Sequence, residues 1–292
     1  MTLPSFSEIV RPDTLRIGSA FQAAQLRENR FDGLIDPIML VDHFTLSTTQ
    51  DPYPYAGLSA LTYLFADSAA ARYRENSATD HGADGLIRPG DLHWLVAGRG
   101  ALHGEGPQAD GGVVHGLRVF INLPSARKLD TPSAYHAAAE GMPVITRAGV
   151  NVRLVAGESK NVRASFRLPE PLTLLDCRLD PKTHFAHTMP PGWNAVVYLI
   201  QGNGLAVTME GRTRRLETGT AVAVGNRGGT RSLILSPSDT PAHAILLAAP
   251  APAETLGRRT TVSPSTIAAD FRSRRVARIP ANGAPVSSLP QR

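Results

Sequence analysis

The sequence predicts an all-β chain folded as two antiparallel barrels or jelly rolls in tandem, on three observations. The 292 residues include 26 Gly and 23 Pro, spread along the chain, which sets turns between many short elements. Apolar runs rich in Val, Leu, Ile, Phe and Tyr lie between those turns, at the length of strands rather than helices. The two halves also echo each other. "SALTYLFADS" is followed by "IRPGDLHWLVAG" in the first and "NAVVYLIQGNG" by "RLETGTAVAVG" in the second, each a Tyr-Leu strand with a later Gly-centred turn and apolar strand.

In chain order, the first half contributes "SALTYLF", "DLHWLVA" and "HGLRVFINL". The segment "TPSAYHAAAEGMP", residues 131–143, is Ala-rich with Pro near each end and predicts a short connecting helix. The second half contributes "VNVRLVAG", "LTLLDCRL", "NAVVYLIQG", "LAVTM", "TAVAVG", "SLILS" and "HAILLAA". A C-terminal helix is expected in "SPSTIAADFRSRR", where Ser263 caps, Pro264 takes the first helical position and Ile267 pairs with Phe271. At 42% hydrophobic residues the length suits two compact domains. The expected division is a barrel over 1–130, the connecting helix over 131–143, a barrel over 144–250, and a helix with a basic, flexible tail over 251–292.

The formal charge of +5 is dispersed except at Arg258-Arg259 and in "RSRRVAR", and no nucleic-acid motif accompanies it, so direct nucleic-acid binding is not expected. Cys177 is the single cysteine and reads as a buried strand thiol. No apolar run reaches the roughly 18 residues needed to span a bilayer, and "MTLPSFSEIVRPDTLRIG" lacks the apolar stretch of a signal peptide. The expectation is a cytoplasmic monomer away from membranes.

"DPIMLVDHF" (36–44), "RPGDLHWLVAGRGALHGEGP" (88–107), "HGLRVFINLP" (115–124) and "PPGWNAVVYLIQG" (190–202) together resemble the pirin family over about residues 15 to 250. The resemblance implies two cupin-type jelly rolls. It also implies an iron-type metal in the N-terminal barrel, held by a His-x-His pair and a later His-x-Glu pair, with a C-terminal barrel usually without metal. Members of the family are linked to quercetin 2,3-dioxygenase activity and to regulation of transcription factors or metabolic enzymes through protein contacts.

His103 and Glu105 match the His-x-Glu pair, whereas Tyr53 and Tyr55 stand where the family has His-x-His. Positions i and i+2 of a strand share a face, so each pair can point into one barrel interior. Neutral imidazoles bind divalent transition ions near neutral pH, while a phenol of pKa about 10 must first lose its proton. The N-terminal metal site is therefore expected to be incomplete, with His103 and Glu105 as residual ligands. The chain is expected to act as a regulatory protein through protein contacts, or to bind a flat aromatic molecule against Tyr53 and Tyr55. Ser59, four residues after Tyr55 where related strands place Glu, and His93, where the family has Gln, are assigned to the same pocket.

Two alternatives stay open. Ferric iron on Tyr53 and Tyr55 phenolates with His103 and Glu105 would make a non-haem dioxygenase. A metal-free pair of His103 and Glu105 would serve as acid and base. His43, His81, His93 and His115 read as strand histidines bonded to backbone. His184 and His187 form an H-x-x-H whose rings do not converge on an extended chain, with His243 as the one further partner, and Trp193 is expected to pack at a barrel end.

Overall fold

A computed structural model of the chain describes residues 3–77, 80–108 and 112–251, without the side chains of 76–84; the expected C-terminal helix lies outside the described residues. Among the described residues the elements are strands and three single 3-10 turns. The all-β expectation holds, and among the described residues no helix is long and apolar enough to cross a membrane.

Each barrel joins a seven-stranded sheet to a four-stranded one, every pair antiparallel. The first large sheet runs Ser133–Ala137, Leu92–Val96, Leu58–Leu64, Val114–Asn122, Ile38–Leu46, Phe21–Arg27, Asp13–Ile17; its smaller partner runs Tyr53–Tyr55, Ala101–Pro107, Ala71–Ser77, Asp80–Ile87. The second large sheet runs Ser5–Phe6, Thr220–Asn226, Trp193–Gln201, Ala242–Pro250, Thr173–Leu179, Val150–Ala156, Val144–Arg147; its partner runs Phe185–Met189, Arg231–Pro237, Leu205–Met209, Arg212–Leu216. This shared plan underlies the echo between the halves.

Leu58–Leu64 is buried at every position because it has two covered faces. Leu61 and Tyr63 join an apolar core that includes Trp94 and Leu117 of the first sheet and Val196, Ile245 and Leu247 of the second. Leu64 turns instead into its own barrel with Phe21, Phe44 and Ile87. The second barrel is filled by a large apolar set that includes Val152, Cys177, Phe185, Val197 and Leu246. The first has a far smaller apolar filling, and the space left over is polar.

Two expectations need correction. Residues 131–143 are not a helix: Ser133–Ala137 is a strand paired with Leu92–Val96, and Ala139–Gly141 is one 3-10 turn. Alanine's helical preference, the strongest of any residue but small in energy, yields to the hydrogen-bond ladder offered by an open sheet edge, and the Asp91 carboxylate accepts from the Ala139 N–H at 2.8 Å. The division at 130 likewise separates the chain but not the sheets. Ser5–Phe6 pairs with Thr220–Asn226 of the second barrel, Val10 bridges Ala221, and both barrels belong to one compact unit.

Polar contacts also cross between the barrels. The Ser59 hydroxyl donates to Glu170 Oε2 at 2.9 Å, the Tyr63 hydroxyl to Asp176 Oδ2 at 2.8 Å, and His43 Nδ1 lies 3.1 Å from the Tyr198 hydroxyl.

Leu61→Ala should cost about 2–5 kcal/mol through lost burial and the cavity left behind. Because its core is common to both barrels, chemical denaturation followed by tryptophan emission and by far-ultraviolet dichroism should give one coincident transition, shifted to lower denaturant.

Candidate metal centre in the N-terminal barrel

Strand Ala101–Pro107 lies between Tyr53–Tyr55 and Ala71–Ser77, and its register decides what meets what. His103 sits opposite Tyr53 on one side and Glu75 on the other, while Glu105 sits opposite Tyr73. His93 comes from the facing sheet, on Leu92–Val96, whose neighbours Leu92 and Trp94 turn to the inter-barrel core. Strand alternation therefore sends His93, His103 and Glu105 into one interior and adds Glu75, which the sequence reading missed.

Glu75, His93 and His103 are all buried and offer one donor atom each within 4.8 Å of one another. Glu75 Oε1 lies 2.5 Å from His93 Nε2 and 3.1 Å from His103 Nδ1. The other nitrogen of His103, Nε2, lies 2.7 Å from Glu105 Oε1, and the two imidazole planes stack at 5.8 Å. Thr62 donates to Glu105 Oε1 at 2.6 Å and Arg118 Nη2 to Oε2 at 2.7 Å.

The electrostatics follow from these contacts. Burial works to raise the Glu105 carboxyl, yet the Arg118 guanidinium and His103 hold it well below the usual carboxylate range. Burial acts the same way on Glu75, and the hydrogen bonds from His103 and His93 bring it down to about 2. For His103 burial favours the neutral ring, but Glu105 and Glu75 raise its pKa. Glu105 thus sits as a carboxylate with both oxygens engaged, by Thr62, His103 and Arg118.

Tyr55 is 5% exposed, with its ring stacked 5.9 Å from that of His103 and edge-on to Phe120 at 5.5 Å. Burial pushes its phenol up to about 12, so it keeps its proton at neutral pH and is a poor phenolate ligand. Tyr53 is half-buried beside His103.

Ser59 does not share this pocket. It lies on the opposite face of its strand, bonded to Glu170. The turn at Gly57, with φ of 69°, separates Tyr53–Tyr55 from Leu58–Leu64, so side-chain parity is not continuous from Tyr55 to Ser59.

The other histidines depart from the expected backbone bonds. His43 Nε2 lies 2.8 Å from His115 Nε2, and His115 Nδ1 lies 3.0 Å from Asp67; His93 bonds Glu75. The His81 side chain lies outside the described residues. His184 is exposed, His187 is buried against Ser159, and His243 bonds Asp176 at 2.8 Å, so these three do not converge. Trp193 is half-buried and packs against the second barrel's core, as expected.

A cavity of about 190 Å³ lies over Gly104 and Gly106, on the outward face of Ala101–Pro107 and Ala71–Ser77, and its lining includes Thr49, Gln50, Pro52 and the exposed Arg72 and Arg74 rather than the cluster. The Tyr73 ring stacks on His93 at 4.1 Å. It lies over Gly85, where an added Cβ would come within 2.3 Å of the ring, so this glycine makes room for the aromatic cover on His93.

Residues 19–121 match the family model described as Pirin. A pirin-like protein of Arabidopsis thaliana is 31% identical over 209 residues, covering 68% of this chain and 74% of the relative. Human pirin is 31% identical over 171 residues, covering 58% of this chain and 57% of its own length. Among solved structures, a quercetin 2,3-dioxygenase of Acinetobacter baumannii superposes with a TM-score of 0.70 at 21% identity, covering 88% of this chain and 91% of that one.

Arg118→Met should destabilise the protein by about 3–5 kcal/mol, because it strands the Glu105 charge in the interior. The Arg118→Met/Glu105→Gln double variant should recover most of that loss in a denaturant double-mutant cycle. Asp42, which accepts from Gln25 Nε2 at 2.8 Å, is raised to about 6, chiefly by burial. The folded state then binds the proton more tightly than the unfolded one, so this group's contribution falls as pH rises from about 4 to 6, by on the order of 3 kcal/mol. Asp42→Asn should flatten that part of a stability–pH profile and raise stability at pH 8.

Proposed function

Because the chain belongs to the pirin family, we propose that it is a metal-binding member carrying a divalent first-row transition ion on Glu75, His93 and His103. The observation that supports this reading is the buried convergence of one carboxylate oxygen and two imidazole nitrogens within 4.8 Å. Two imidazoles and a carboxylate are the donor set that suits iron, manganese or nickel in the divalent state. The family's own arrangement does not fit, since Tyr53 and Tyr55 replace its first His pair, and in this reading Glu75 from the neighbouring strand and His93 from the facing sheet supply the missing donors.

In this reading Glu105 is a positioning residue rather than a ligand. Held by Arg118 and Thr62, it accepts from His103 Nε2–H and so leaves Nδ1, the nitrogen nearer Glu75, to act as donor. When bound, the ion supplies Lewis-acid and redox chemistry of the kind used to activate oxygen or an enolate. Tyr73 screens His93 from solvent, and Tyr55 contributes a neutral phenol.

We infer an oxygenase-type reaction at this ion, a reading supported by the likeness in fold to a quercetin 2,3-dioxygenase.

Elemental analysis of protein purified without chelator should find close to one transition ion per chain, lost in His93→Ala and Glu75→Gln and kept in Tyr53→Phe/Tyr55→Phe. A chain that takes up no ion even from supplemented medium would overturn the reading. That result would favour a cupin scaffold working through protein contacts.

A further inference from the structure

The second barrel contains a cavity of about 530 Å³, separate from the metal cluster. Its volume falls within the range of small-molecule sites. Its lining includes Ser159 and His187, which are 3% and 2% exposed, with Ser159 Oγ 3.0 Å from His187 Nδ1. His187 Nε2 is buried without a hydrogen-bond partner. Burial, and then the charge of Lys160, lower this histidine to about 4, so at neutral pH the pair is an uncharged hydroxyl and imidazole.

The rest of the lining divides into an apolar wall and a charged rim. Phe166, Leu168 and Trp193 form the wall. The rim is the hairpin of Glu158–Ser159 and Val162–Arg163, turned by Lys160 and Asn161 at φ of 52° and 63°. Two left-handed residues suit the twist of a two-residue hairpin, but the favoured occupants are Asn, Asp and Gly. Asn161 conforms, whereas Lys160 places a long cation at the cavity where the turn itself asks for a short residue. Arg163 is neutralised by Glu158 at 2.8 Å, and Lys160 has no ion-pair partner among the described residues. The lining therefore carries one uncompensated positive charge beside a buried hydroxyl and two aromatic rings.

We propose that this cavity binds a small aromatic monocarboxylate, with its ring against Trp193, Phe166 and Leu168 and its carboxylate toward Lys160 and the Ser159 hydroxyl. A single cation selects a single negative charge, and the apolar wall selects a ring over a short polar acid. This inference is independent of the metal reading, since none of its residues belongs to the N-terminal barrel.

Calorimetric titration of the full chain with phenylacetate and 3-phenylpropionate, with phenylacetamide as the neutral control, tests it. The acids should bind saturably at one site per chain and the amide about tenfold more weakly. Lys160→Asn, which removes the charge while suiting the left-handed turn, should weaken acid binding about three- to tenfold, and Ser159→Ala should weaken it further. Binding should survive chelation and the His93→Ala substitution. Absence of saturable binding, equal affinity for acid and amide, full affinity in Lys160→Asn, or loss of binding with His93→Ala would each overturn the proposal.

Discussion

The apolar face shared by the two seven-stranded sheets supports the rest of the molecule. Leu61, Tyr63 and Trp94 on one side meet Val196, Ile245 and Leu247 on the other, so each large sheet buries its outer face without a helical layer. Burial of that kind is the main favourable term in folding. The N-terminal barrel can therefore hold a polar interior: its own apolar filling is small, and the fold is secured elsewhere.

That polar interior is tolerable only because its charges are matched. Arg118 is bonded to Glu105 and stacked over the Phe44 ring at 4.9 Å. Glu75 in turn is engaged by two imidazoles. A buried ion pair is weak evidence of net stability, but breaking one partner away is costly, so the network holds its members in fixed geometry. Fixed geometry is what a metal centre requires of the groups behind its ligands.

Much of the architecture was legible in the residues. Strand-length apolar runs, dispersed Gly and Pro and the echo between halves identified two β-barrels, and i,i+2 spacing correctly turned His103 and Glu105 to one face. What was not legible depended on pairing between distant strands. Glu75 sits in "YRENS", with no motif of its own, and gains its place only because its strand runs beside Ala101–Pro107. Ser59 was misassigned because a glycine turn interrupts the alternation that would have tied it to Tyr55. Residues 131–143 form a strand and turn because an edge lay open beside them, a tertiary fact that composition does not encode.

The pairing of Ser5–Phe6 with Thr220–Asn226 bears on how the chain acquires its structure. The Ala223 N–H donates to the Ser7 hydroxyl across 216 positions of sequence, among the longest separations the molecule closes. Contacts this distant are slow to form. During synthesis Ser5–Phe6 has no strand to join until Thr220–Asn226 has been made. The first barrel must then condense with Ser5–Phe6 unpaired, and docking of that strand becomes a late step in maturation.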